Sequence, residues 1–232
     1  MFEVFLAALV GAFISLDRTA FLQIMVSQPL VAGTLVGFLL GDPLTGLTIG
    51  SILELLWIGD VPMGSSVPPN ETAAAVIATS ISILTSRDTL AAQPSPIQIM
   101  VFSVLLSIPL AVLCQKVDIY VRSYNRRFVL NAERLLESRD FLRIGRENLK
   151  GLISFFFASF FSIFLLLGVG LYMTKVVYFL IPEPFLKGLF IAFCLLISLG
   201  TAVSIRTARV KRGAPVLFAG FLMGMVFMYF KD

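Results

Sequence analysis

The sequence predicts an all-α polytopic integral membrane protein, with full transmembrane helices in the second half and broken or re-entrant segments in the N-terminal half. Three observations carry this. The 232 residues are 58% hydrophobic with mean hydropathy +0.94, whereas a soluble domain is about 45–50% apolar. Residues 151–174 hold no charge and residues 186–205 hold only Lys187, and each run matches the roughly 20 residues a helix needs to cross a bilayer. Nine of the 18 Lys and Arg fall between residues 115 and 150, a concentration that belongs on one side of a membrane.

The chain reads as one membrane domain in three zones. Residues 1–95 are interrupted apolar segments, 115–150 a basic amphipathic cytoplasmic loop, and 151–232 three transmembrane helices. Residues 4–16 form the first retained helix, because Met1-Phe2-Glu3 lacks the basic start of a signal peptide. Residues 31–40 are apolar until Gly41-Asp42-Pro43 stops them, and residues 44–58 are apolar around Glu54. GDVPMGSSVPPNE follows at residues 59–71, and then the apolar run 72–84. None of these pieces spans a bilayer comfortably as one straight helix. Backbone broken at such depth is tolerated only where it is buried in protein or lines a cavity, and half-helices of this kind surround binding sites. Gly33, Gly37 and Gly41 recur every four residues, as do Gly46 and Gly50, with a weaker instance at Gly220 and Gly224. Such small faces let helices approach closely. Asp42 beside Pro43 reads as a turn residue.

Residues 96–114 then run inward to the charged stretch, leaving the segment 86–95 outside. Phe128, Leu130, Leu135, Leu136 and Leu142 recur among the charges of 115–150, so part of this loop is expected as an interfacial amphipathic helix. It serves either as a solvated connector or as a docking surface for a cytoplasmic partner. Arg206, Arg209, Lys211 and Arg212 follow two further crossings and fall on the same face. Residues 214–230 cross outward again.

Composition removes several function classes. There is no histidine, which excludes a Ser/His/Asp triad, a His-ligated metal and a phosphohistidine on this chain. Cys114 and Cys194 lie in apolar runs and read as small buried hydrophobes. No metal or cofactor is expected. The net charge of +4 and pI of about 9.3 point to orientation and anionic lipid rather than nucleic acid, because the basic residues flank membrane segments.

The candidate binding residues are Glu54, Trp57, Asn70 and Glu71. Glu54 lies within Ile52-Leu53-Glu54-Leu55-Leu56-Trp57, where an ionisable group has to face a cavity, a partner or the interface. It is placed to accept from hydroxyl groups, to bind a cation, or to pair with Arg18. Trp57 is three residues on, near the same helix face, either to stack on an apolar ligand face or to sit in the interfacial belt. Asn70 is an N-cap candidate for the following helix, with Glu71 at its positive end. The other reading gives this Pro-Pro-Asn-Glu segment donors and acceptors for a ligand.

The stretch QPLVAGTLVGFLLGDPLTGLTIGSILELLWIG, residues 28–59, resembles the signature of the mannose-type phosphotransferase-system membrane component IIC. Its matching positions are Pro29, Leu30, Gly37, Gly41, Asp42, Thr45, Gly46, Gly50, Leu53 and Glu54. Gly64, Val67-Pro68 and Ala73 to Ala75 extend the likeness, so that it covers roughly residues 15–85. The resemblance implies a sugar-translocating subunit of a bacterial inner membrane that pairs with a related IID subunit in a higher oligomer. It implies soluble IIA and IIB phosphocarriers that phosphorylate an incoming hexose, with no catalysis by this chain. It also implies elevator-like motion of a core against a scaffold. Two other classes stay open on the residues alone: a secondary transporter or channel using Glu54 for a cation, and a non-transporting sensor or scaffold working through residues 115–150.

Overall fold

The computed structural model describes residues 1–18, 21, 23–59, 67–88, 95–137, 141–180 and 182–207. Among them every regular element is an α-helix: α1 (Phe2–Asp17), α2 (Pro29–Leu39), α3 (Pro43–Trp57), α4 (Glu71–Asp88), α5 (Pro96–Glu137), α6 (Phe141–Leu180) and α7 (Glu183–Thr207). Three are long and apolar enough to cross a membrane, over Pro96–Leu135, Phe141–Val177 and Pro184–Arg206.

The axis of the bundle is α4. It packs on α1, α2, α3, α5 and α6, and every residue from 72 to 83 is buried. Its sequence permits this, since Ala73, Ala74, Ala75, Ala78, Ser80 and Ser82 present little bulk in any direction. Ser80 keeps its hydroxyl satisfied by donating to the Val76 carbonyl at 2.7 Å. One apolar cluster joins Val4, Ala8, Val36, Ile77, Leu110 and Leu167, and a second joins Ile49, Leu53, Ala78, Val101 and Leu196.

Helices α2 and α3 form a tight hairpin. At 11 and 15 residues they extend only about 16 and 22 Å, short of the roughly 30 Å hydrocarbon layer. Glycine makes the hairpin possible. A Cβ on Gly33 would lie 2.7 Å from the Gly46 carbonyl oxygen, and one on Gly50 would lie 2.6 Å from that of Pro29. The tip turns on Gly41 at φ +82°, a conformation that favours glycine. Asp42 caps α3 there, accepting from the Thr45 N–H at 3.1 Å and its hydroxyl at 2.6 Å.

The two ends of the bundle differ. At one, Arg87 near the C-terminus of α4 pairs with Glu3 of α1 at 2.7 Å and donates to the Leu40 carbonyl at the hairpin tip. At the other, Arg18 after α1 and Asn70 before α4 meet Asp118 in the middle of α5, and Glu54 near the end of α3 meets the start of α2.

The charged stretch 115–150, expected in part as an amphipathic helix, is helical over its described residues. Its residues extend α5 and α6 into helices of 42 and 40 residues. The reason is local, because Arg, Glu, Leu and Lys sustain a helix as well as apolar residues do and no proline interrupts residues 110–137. Cys194 differs from its expectation. It lies exposed on α7, while Cys114 is buried, because α7 shows most of its circumference outward. The crossing at 214–230, the basic residues Arg209, Lys211 and Arg212, and Gly220 and Gly224 lie outside the described residues, as does most of the segment 86–95.

Candidate functional site

A buried polar junction closes the second end. Asp118 of α5 accepts from Asn70 Nδ2 at 2.9 Å and faces Arg18 Nη1 at 3.6 Å. Arg18 also donates to the carbonyls of Pro68 and Pro69, at 3.3 and 3.0 Å. The Asn70 N–H donates to the Ala111 carbonyl at 3.2 Å, and the Gln115 amide donates to the Val67 carbonyl. The extended strap 67–70 is thus held from α1 on one side and α5 on the other. Irregular backbone against packed helices needs such partners for its polar groups.

A second clasp orders the chain entering α2. Asp17 accepts from the Ile24 N–H at 2.8 Å and the Ser27 N–H at 3.2 Å. Gln23 and Met25 take positive φ, 56° and 67°, a costly conformation for residues with side chains. The Asp17 carboxylate, 7% exposed, holds that loop in shape. The Ser27 carbonyl then accepts from the Thr72 hydroxyl at 2.5 Å, which ties the start of α2 to the start of α4.

The four sequence-predicted residues all lie at this end, on two elements. Asn70 is buried and caps α4, its Oδ1 accepting from the Ala73 N–H at 2.9 Å. Glu71, next to it, is half-buried. Glu54 is half-buried on α3, and its Oε2 accepts from the Leu30 N–H at 3.3 Å, satisfying a free donor in the first turn of α2. Trp57 is half-buried and packs against the cluster around Ile49 and Leu53. The Ser27–Thr72 bond joins the chain entering α2, where Leu30 meets Glu54, to the start of α4 beside Asn70. Arg18, offered as a partner of Glu54, goes instead to Asp118, because Arg18 ends α1 beside the strap and α5.

Sequence reasoning missed Asp17, Thr72, Gln115 and Asp118. The signal for Asp118 is periodic. Val104, Ser107, Ala111, Cys114, Asp118 and Val121 are all buried at alternating spacings of three and four, a single stripe down α5. An acid on that stripe has to be paired.

Two helix N-termini, of α2 and α4, point their positive ends into this region, and two half-buried carboxylates and an indole stand beside them. Carboxylate acceptors and an aromatic face beside two positive helix ends suit a polyhydroxylated ligand. Among the described residues, no cluster of His, Cys, Asp and Glu forms a metal site. Residues 60–66, which join α3 to α4, lie outside the described residues.

Comparison with known proteins agrees with this architecture. The chain matches, over residues 1–230, the family described as the PTS system sorbose-specific IIC component. It is 28% identical over 196 residues to the mannose-specific EIIC component of Escherichia coli K12, covering 84% of this chain and 70% of that one. It is 27% identical over 207 residues to the sorbose-specific EIIC component of Klebsiella pneumoniae, covering 87% and 72%. Among solved structures, one described as a membrane protein superposes with TM-score 0.70 at 26% identity, over 96% of this chain and 84% of that one. The mannose transporter ManYZ, in complex with microcin E492, superposes with TM-score 0.59 at 26% identity and the same coverage. A profile spanning nearly the whole chain, on an all-helical bundle with long apolar helices and a short-helix hairpin, places the protein: it belongs to the sorbose-type IIC family, the membrane sugar-transport subunits of the phosphotransferase system.

Proposed function

We propose that this chain is the sugar-translocating subunit of a phosphoenolpyruvate-dependent phosphotransferase system in a bacterial cytoplasmic membrane, crossing it several times and moving a hexose inward. A IID-like membrane subunit completes the conducting unit as a hetero-oligomer, with lipid around it. Cytoplasmic IIB and IIA phosphocarriers carry the phosphoryl group, and this chain performs no phosphoryl transfer itself. The observation that carries the reading is the gathering of Glu54, Trp57, Asn70 and Glu71 at the end of the bundle from which the basic helical hairpin extends. The positive-inside rule makes that end cytoplasmic, the side on which a phosphoryl donor arrives.

Each residue then has a distinct task. The carboxylates of Glu54 and Glu71 accept from sugar hydroxyls, and Trp57 offers an apolar face to the ring. Asn70 acts from behind. Its side chain is committed to Ala73 and Asp118, so it fixes the first turn of α4 and with it the position of Glu71.

The test is sugar-stimulated phosphoryl transfer from phosphoenolpyruvate, in vesicles holding this chain and its IID-like partner. Sugar phosphate should accumulate with the native chain, and Glu54→Gln should lower the rate about 100-fold, the loss of a charged hydrogen bond of about 3 kcal/mol. Full activity in the variant would remove Glu54 from the site. No product from any hexose, with both subunits folded, would overturn the transport reading.

A further inference from the structure

The far ends of α5 and α6 form a helical hairpin standing clear of the bundle. From residue 122 to 135 and from 141 to 150 no described side chain is buried. Its base is clasped, with Asn125 Nδ2 donating to the Gly151 carbonyl at 3.1 Å and Ser154 donating to both Asn125 and Gly151. Residues 119–137 and 141–150 carry seven Lys and Arg against three Asp and Glu. Between this clasp and the tip, Asn131, Arg134, Leu135, Arg143, Arg146, Glu147 and Lys150 line a cleft of about 430 Å³, in which Glu147 pairs with Lys150. Val129, Leu130, Phe141 and Leu142 stand exposed on the same hairpin. A face both basic and apolar at this density is made to be covered.

Length decides what covers it. Helix α1 ends and α4 begins at the level of Asp118, and α5 continues to Glu137, about 28 Å farther. Arg134 stands about 24 Å beyond that level. The apolar run of α5 ends near Cys114 and the headgroup layer of a bilayer is only about 5–8 Å deep on each side, so with α5 along the bilayer normal the Arg134 end of the cleft clears the lipid phosphates. The hairpin is instead about as tall as a small soluble domain is wide. A domain of that width lying against it spans from the cleft to the binding end around Glu54.

We propose that this hairpin is the docking mast for the soluble phosphocarrier of the system, gripped through carboxylates on the carrier that fill the cleft of Arg134, Arg143, Arg146 and Lys150. The proposal rests on the transport function above and adds where the phosphoryl donor is held. Guanidinium groups suit the task, because their planar fork takes carboxylates two bonds at a time. The mast positions the carrier and takes no part in phosphoryl transfer.

The test titrates the soluble phosphocarrier of the same system against the full chain with its membrane partner, in nanodiscs of phosphatidylcholine alone. R134E with R146E should raise the Kd at least tenfold and flatten its dependence on salt, because desolvated charge pairs across an interface are what the reversal removes. R134K with R146K should weaken binding by less than the charge reversal does, since the charge survives but the two-bond fork is lost. Sugar binding by calorimetry should be unchanged in both, the cleft being remote from Glu54. Equal carrier affinity in the native and R134E/R146E proteins would overturn the proposal. So would native protein that binds sugar but no carrier, which would leave the transport reading standing. Carrier binding that requires phosphatidylglycerol in the nanodisc would assign the hairpin to the membrane surface and overturn it as well. Carrier bound with no sugar bound would instead count against the transport reading alone.

Discussion

Asn70 donates from Nδ2 to Asp118 Oδ2 at 2.9 Å, across 48 residues of chain. Through its Oδ1 the same side chain caps α4 at Ala73, and through its backbone N–H it reaches Ala111. One residue therefore sets the register of α4 against α5 and holds the strap that leads into the binding end. Asp118 in turn balances Arg18, so that α1, α4 and α5 are joined by one polar network.

Removing the anion from that network should be severe. Asp118→Ala leaves the Arg18 guanidinium with a buried charge and no counter-ion, a loss of about 3–5 kcal/mol, read as a large drop in thermal unfolding temperature in detergent. Arg18→Met combined with Asp118→Leu should be less damaging than the sum of the two single changes, by about 1–3 kcal/mol. Strict additivity would show the pair to be energetically idle.

The glycine contact between α2 and α3 predicts a sharp contrast. In Gly46→Ala the new methyl would overlap the Gly33 carbonyl oxygen, with the Gly37 Cα 2.9 Å away. Backbone cannot yield there as a side chain would, so the variant should lose about 1–3 kcal/mol or more and much of its folded yield. Gly168→Ala and Gly188→Ala meet nothing within 4 Å and should be as stable as the native chain or slightly more so, because alanine favours a helix. Fluorescence size-exclusion of the three variants side by side decides it.

Arg87 makes two bonds of unequal worth. Its pair with Glu3 is roughly half exposed on both sides, so Glu3→Gln should change stability by less than about 1 kcal/mol. Its bond to the Leu40 carbonyl restrains the hairpin tip and satisfies the negative end of α2. Arg87→Met should therefore speed hydrogen exchange at residues 38–45 while Glu3→Gln leaves it unchanged. Equal exchange in the two variants would place the tip restraint elsewhere.

Asp42 gives a milder prediction. Asp42→Ala removes the cap on α3 and strands the Thr45 N–H and hydroxyl, which should cost about 1 kcal/mol. Asp42→Asn should retain most of it. A loss as large as that of Gly46→Ala would mean that Asp42 does more than cap.

The membrane class and the short helices of the N-terminal half were legible in the residues alone. Each of these follows from local information. An uncharged run of bilayer length can fold only as a spanning helix, Gly41-Asp42-Pro43 can only break one, and glycines four apart declare a packing face before the partner helix is known. The tertiary structure decided which groups pair. Arg18 lies 36 residues from Glu54 and 100 from Asp118, and nothing local favours the second; the choice is made where α1 ends against α5. The charged stretch 115–150 showed the same limit. Its charges announced a cytoplasmic face, but whether they lie on the membrane or rise from it depends on α5 and α6 continuing as one packed hairpin past the level of Asp118. Local propensity allows a helix to continue; only contact with a second helix sets its direction.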